Sequence, residues 1–218
     1  MTIRMFGAVL AMTVVIGVYL GPVAAQDEHG THERAAQTST LRCPVSDDAA
    51  SFAWNVATAD GPLFFCCKDC IPKYQADPSK YAEKAAAQRK ALAGRDKVQV
   101  TCPISHKPVA PDAFIESNEQ KVHFCCKGCI RKYQQDTEKY RAALANSFTY
   151  QTKCPVMGGE ISPQAFTTLA SGAKVYFCCP KCEKALYAEP EKFASKLTAQ
   201  GMIVKPGELK PAEQEEQE

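Results

Sequence analysis

The sequence predicts a small α+β protein: three tandem copies of one short unit, each a Cys bend, a β-hairpin and helices, set behind a signal peptide. Three observations predict it. The twelve cysteines of the 218-residue chain fall into three groups of four with none left over. These are Cys43, Cys66, Cys67 and Cys70, then Cys102, Cys125, Cys126 and Cys129, then Cys154, Cys178, Cys179 and Cys182. Each group opens with Cys-Pro and closes with Phe-Cys-Cys-x-x-Cys, with 23, 23 and 24 residues from the first cysteine to the second. Finally, the apolar pattern changes from hairpin-like to helical at each cysteine pair.

Residues 1–25 read as a secretory signal peptide. Arg4 gives a positive start, Met5 to Leu20 is apolar, and Gly21-Pro22-Val23-Ala24-Ala25 supplies small residues for cleavage. The apolar run is shorter than the ~20 residues a spanning helix needs, and no later segment could span a membrane. A periplasmic or secreted location is expected, where disulfides can persist. The net charge of +2 gives no reason to expect nucleic acid as a partner. Residues 26–39 and the acidic tail 205–218 are polar enough to be disordered. Three modules remain, at 40–94, 99–148 and 151–200.

Within a module, Cys-Pro makes a stiff bend, because proline fixes φ and has no N–H to donate. An apolar segment follows, holding Trp54, Phe114 or Phe166 as a core aromatic. Turn signals at Asp60-Gly61-Pro62, Ser117-Asn118 and Ser171-Gly172 lead to a second strand that runs into the cysteine pair. Cys70 and Tyr74, Cys129 and Tyr133, and Cys182 and Leu186 are each four apart, which puts the last cysteine on the buried face of a helix. Asp77-Pro78, Asp136-Thr137 and Glu189-Pro190 mark the start of a second helix, packed back through Tyr81, Tyr140 or Phe193. Segments of about 50 residues bury too little apolar surface to be comfortably stable unaided, so the cysteines are the expected staple.

Sulfurs from a bend and from a helix start thus converge across a hairpin, the plan of a treble-clef-type metal finger. The helix N-terminus, with Lys68, Lys127 or Lys181 beside it, is expected to favour thiolate in the cluster. Neighbouring side chains of an extended segment point apart, although a turn relaxes that rule. Three ligand sets therefore stay open in module one: Cys66 with Cys70, Cys67 with Cys70, or all four sulfurs. The same choice recurs in the other modules.

The pattern Cys-Pro-Val, Tyr-Phe-Cys-Cys-x-x-Cys and Pro-x-Lys-Phe resembles the YHS/TRASH group of small heavy-metal-binding modules. The resemblance covers all three units. It implies a treble-clef-like fold and ligand sets Cys43, Cys66, Cys70; Cys102, Cys125, Cys129; and Cys154, Cys178, Cys182. Roles in metal sensing, trafficking or resistance follow from it. The extra cysteines Cys67, Cys126 and Cys179 depart from the family pattern, and each can serve as fourth ligand or in metal exchange.

Thiolate-rich sites suit Cu(I) or Zn(II), at about one ion per module. A metal-transport or envelope protein is a further possible partner. His106 and His123 occur only in module two and cannot serve a general site, and His29 and His32 lie in the polar lead. No Ser-His-Asp set, phosphate loop or repeated carboxylate pair is present, so no enzyme is expected. A structural-zinc interaction protein, a plain disulfide scaffold and a thiol–disulfide exchanger are the rival readings.

Overall fold

The computed structural model describes residues 41–117 and 120–212. The expected signal peptide, the polar lead with His29 and His32, and residues 213–218 lie outside the described residues. Among these residues there are six α-helices and four two-stranded antiparallel sheets. The result is a small mixed α/β protein built from three copies of one chain path. No helix among the described residues is long and apolar enough to cross a membrane.

Module one pairs β1 (Ser51–Thr58) with β2 (Gly61–Phe65), then runs into α1 (Cys70–Ala76) and α2 (Ala82–Leu92). A 3-10 turn at Pro78–Tyr81 joins the two helices, and the Asp77 carboxylate caps it by accepting from the Lys80 N–H at 3.2 Å. A short strand β3 (Val98–Gln99) precedes module two, whose hairpin is β4 (Phe114–Ser117) with β5 (Gln120–His123). Its helices are α3 (Lys127–Gln135) and α4 (Arg141–Ala145), again joined by a 3-10 turn behind a capping carboxylate, Asp136. Strand β6 (Phe148–Thr149) pairs with β3, and so closes module two's ends on each other. Module three repeats the plan with β7 (Ser162–Thr168), β8 (Lys174–Phe177), α5 (Lys181–Ala188) and α6 (Pro190–Ala199).

Phe65, Phe124 and Phe177, just before the cysteine pairs, are fully buried, and Tyr74, Tyr133 and Leu186 are buried one helical turn past the last cysteine. The helical spacing in the sequence therefore points the right way. Phe114 corrects the expectation of a core aromatic, being 37 % exposed. Its strand alternates, so Ile115 and Val122 face inward as a pair while Phe114 and its partner His123 face out. There Phe114 lies 5.5 Å from the His123 ring and under the Lys121 ammonium at 4.5 Å.

The three modules form one compact unit rather than beads on a string. Ala53 of β1 belongs to the core of module three, and Phe52 stacks on Tyr150 with ring centroids 5.2 Å apart. The Phe52 N–H donates to the Gly201 carbonyl at 2.9 Å, and the Ser51 hydroxyl to the Ile203 carbonyl at 2.9 Å. Module two's main core, by contrast, draws on its own residues alone.

Residues 205–212 correct the expectation of a disordered tail. Leu209 is buried in the core of module three, Pro211 bridges Leu169, and the Ala212 N–H donates to the Thr168 carbonyl at 2.9 Å. Apolar anchors two to seven residues apart, Met202, Val204 and Leu209, hold the segment against a hairpin whose edge would otherwise be open.

Candidate metal centres

Each first cysteine sits in a small closed loop. In module one the Cys43 N–H donates to the Asp48 carbonyl at 2.8 Å, and the Asp47 N–H returns to the Cys43 carbonyl at 2.9 Å. Arg42 and Ala49 bridge across the base. The same bonds recur around Cys102 and Cys154. Closing the loop requires a left-handed residue four after the cysteine: Asp47 at φ 68°, His106 at 58° and Gly158 at 74°. His106 therefore has a conformational job. Neither it nor His123 joins a metal-binding group among the described residues.

A buried glutamine fastens that loop to the hairpin. The Gln99 amide donates to the carbonyls of Thr101 and His123, while its oxygen accepts the His123 N–H. Gln151 does the same for Lys153 and Tyr176. In module one the clamp comes from another element, with Gln88 of α2 holding Arg42 and both backbone groups of Phe64. Three partnered amide bonds fix the first cysteine against the strand that delivers the others. The cysteine pattern does not point to these residues. The signal was a glutamine three positions before Cys102 and Cys154, hidden by its absence from module one.

The sulfurs meet as three triads: Cys43, Cys66 and Cys70; Cys102, Cys125 and Cys129; Cys154, Cys178 and Cys182. Within each, all three Sγ atoms lie within 4.8 Å of one another. All twelve cysteines are free thiols. The Cys66–Cys70, Cys125–Cys129 and Cys178–Cys182 separations are 3.6, 3.5 and 3.7 Å. Thiolates at about 2.3 Å from a tetrahedral zinc stand about 3.8 Å apart, so these gaps fit a shared ion and not an S–S bond of about 2.05 Å.

The adjacent cysteines join the rim. Cys67 Sγ is 3.7 Å from Cys66 Sγ and 3.8 Å from Cys70 Sγ, and Cys126 and Cys179 stand 3.8 and 3.6 Å from the last cysteine of their own groups. The chain bends into the helix here, so neighbouring side chains no longer diverge. The first cysteine of each group is buried, whereas the adjacent one is part-exposed or, for Cys126, exposed. Each cluster thus has a dry inner sulfur and a wet outer one that share two common partners.

Electrostatics follows the N–H groups. Burial works against ionising Cys43, but the N–H groups of Ser46 and Cys66, the Ser46 hydroxyl and the Val45 N–H outweigh it and bring the thiol down to about 7. Cys102 is also held down to about 7: burial is overcome by the Cys125 N–H, the Ser105 hydroxyl and the N–H groups of the loop. Cys154 is lowered too, against its burial, by the N–H groups of Met157, Cys178 and Val156. The helix start does not favour thiolate at every sulfur of the cluster. Burial first, then the neighbouring sulfurs, push Cys70 and Cys182 up strongly and Cys129 up to about 12. The outer sulfurs go the other way: Cys67 is lowered against its burial by the Asp69 N–H and neighbouring sulfurs, Cys126 by the Cys129 N–H first, and Cys179 by the Cys182 side chain and then the Lys181 N–H.

A pH dependence follows from these directions. Metal binding to a triad needs thiolates, so it displaces the proton of Cys70 throughout the neutral range but that of Cys43 only below about pH 7. Apparent affinity should rise with pH everywhere, and more steeply below about pH 7 than above. Proton release per bound Zn(II), titrated in weak buffer, should be larger at about pH 6 than at about pH 8. Equal release at both would contradict the lowered thiol of the first cysteine.

A cavity of about 290 Å³ lies at the seam of the modules, lined by Phe52, Phe64, Phe148, Tyr150 and Tyr176 among others, with no cysteine in its wall. No family model, curated protein or solved structure matches the chain. The chemistry of the clusters alone therefore defines the class: three sulfur triads, each close enough to hold a metal ion.

Proposed function

We propose that this chain is an exported metal-binding protein of three YHS/TRASH-type, treble-clef-like modules. It takes up Cu(I) or Zn(II), about one ion per module, for trafficking, buffering or resistance, and it is not an enzyme. One observation carries the reading: the same triad is built three times, with all three Sγ atoms within 4.8 Å. Thiolate-only donor sets suit soft and borderline ions. The apolar run Met5 to Leu20 supports export.

Carriage, rather than mere stapling, is supported by the outer sulfur. Cys67, Cys126 and Cys179 stand in water beside ligands they can replace one at a time, which lets an ion leave by exchange without stripping the site. Changing all three to serine should leave a folded protein with a near-parental thermal midpoint when metal-loaded. Its metal release to a competing chelator should slow or weaken on the order of tenfold, the scale of an outer partner of a metal site. A triple variant that fails to fold with any metal would make these cysteines obligatory ligands of closed four-sulfur sites.

That outcome would promote the second reading, an interaction protein with structural zinc. It has its own observation: Cys43 and Cys70 belong to the apolar core of module one, as Cys102 and Cys129 do in module two. A carrier gives up metal and stays near-native, whereas a structural site unfolds with its ion.

A further inference from the structure

The three clusters differ in the residue that faces the middle cysteine from the first loop. Three residues after the first cysteine stand Ser46, Ser105 and Met157. Ser46 Oγ lies 3.2 Å from Cys66 Sγ, and Ser105 Oγ lies 3.1 Å from Cys125 Sγ. In both modules the hydroxyl is hydrogen-bonded to the middle cysteine.

The loop backbone around Met157 is the same. Its N–H donates to Cys154 Sγ at 3.5 Å, and the next residue's N–H closes on the Cys154 carbonyl at 2.8 Å, as in the other two loops. The position that aims a serine at the middle sulfur therefore carries a thioether in module three. A serine Oγ is one bond from Cβ, and a methionine sulfur is one bond further on. The thioether therefore extends further from the loop than the serine oxygens that touch the middle sulfur in modules one and two.

Packing does not explain the residue. Met157 is 71 % exposed, while Met202 of the same module is buried in its core. A large, soft side chain is kept in water at the rim of a sulfur cluster. Thioether sulfur is a ligand for Cu(I), whereas structural zinc sites draw on thiolate, imidazole and carboxylate.

We propose that Met157 is a thioether ligand of the third centre, completing Cys154, Cys178 and Cys182 as a Cu(I)-selective site that modules one and two lack. This rests on the reading of the triads as metal sites. Ser46 and Ser105 offer only a hard hydroxyl that hydrogen-bonds the middle sulfur, so this position adds no preference for Cu(I) in their centres. The chain would then sort ions internally, with Cu(I) collecting in module three.

The test uses the full chain carrying selenomethionine, loaded anaerobically with Cu(I), and reads selenium-edge X-ray absorption. A copper neighbour of selenium is expected in the parent and should vanish in Met157→Ser. That variant should fold, because serine is what its two sister loops carry. In a Cu(I)-chelator competition it should weaken one equivalent on the order of tenfold while Zn(II) binding holds. Ser105→Met should add a comparable gain in module two. Selenium without a copper neighbour, in a parent that does bind Cu(I), would overturn the proposal and leave the triads standing. A parent that binds neither Cu(I) nor Zn(II) would overturn both.

Discussion

Phe52→Ala is expected to destabilise the chain by about 3–5 kcal/mol, the usual loss for a buried phenylalanine, and to loosen modules one and three together. The ring is buried against Phe64 at 4.8 Å and Tyr150 at 5.2 Å, and it lies over Gly201. Gly201 is the reciprocal contact. A Cβ there would meet the Phe52 ring at 2.6 Å, and its φ of 87° disfavours any side chain. Removing either member opens the seam, which is a large share of the stability of a small protein. Denaturant unfolding of the metal-loaded chain gives the size of the loss, and amide exchange mapped along the sequence gives its extent. Loss of protection confined to module one would mean the seam carries no coupling.

Cys129→Ser is expected to empty module two of metal and melt it, leaving modules one and three near-native. Cys129 is buried at the start of α3 and belongs both to its triad and to the module's core. That core takes no residue from another module, and the Gln164 bond to the Val109 carbonyl and the Asn146 bond to the Thr58 carbonyl are too few to hold it once its buried cysteine is replaced. Amide exchange should show protection lost from about residue 100 to 145, with β3 and β6 frayed at its edges. Uniform loss across all three modules would mean one fused core.

Much of this architecture is legible in the sequence because it repeats. Cys-Pro, the turn residues and the four-residue step from Cys70 to Tyr74 recur in register, so a weak local signal is read three times. Features with no repeating signal were hidden. Phe52 looked like any strand residue, because its burial depends on Gly201 and Tyr150, both far off in sequence. Phe114 was placed inside on hydrophobicity alone, although two-residue alternation in a short hairpin turns it outward. The glutamine clamp was obscured because module one supplies its member from α2. The ligand triads could not be told from the alternatives by spacing, since only the bend at Cys66-Cys67 decides which sulfurs converge.

The most direct measurement is metal stoichiometry. The reduced full chain would be loaded anaerobically with Zn(II) or Cu(I), freed of excess ion, and weighed by native mass spectrometry beside a count of unreacted thiols. The predicted result is about three ions per chain, one for each triad, with the triad cysteines shielded from alkylation. A reduced chain that stays folded yet free of metal, with its triad thiols open to alkylation, would contradict it.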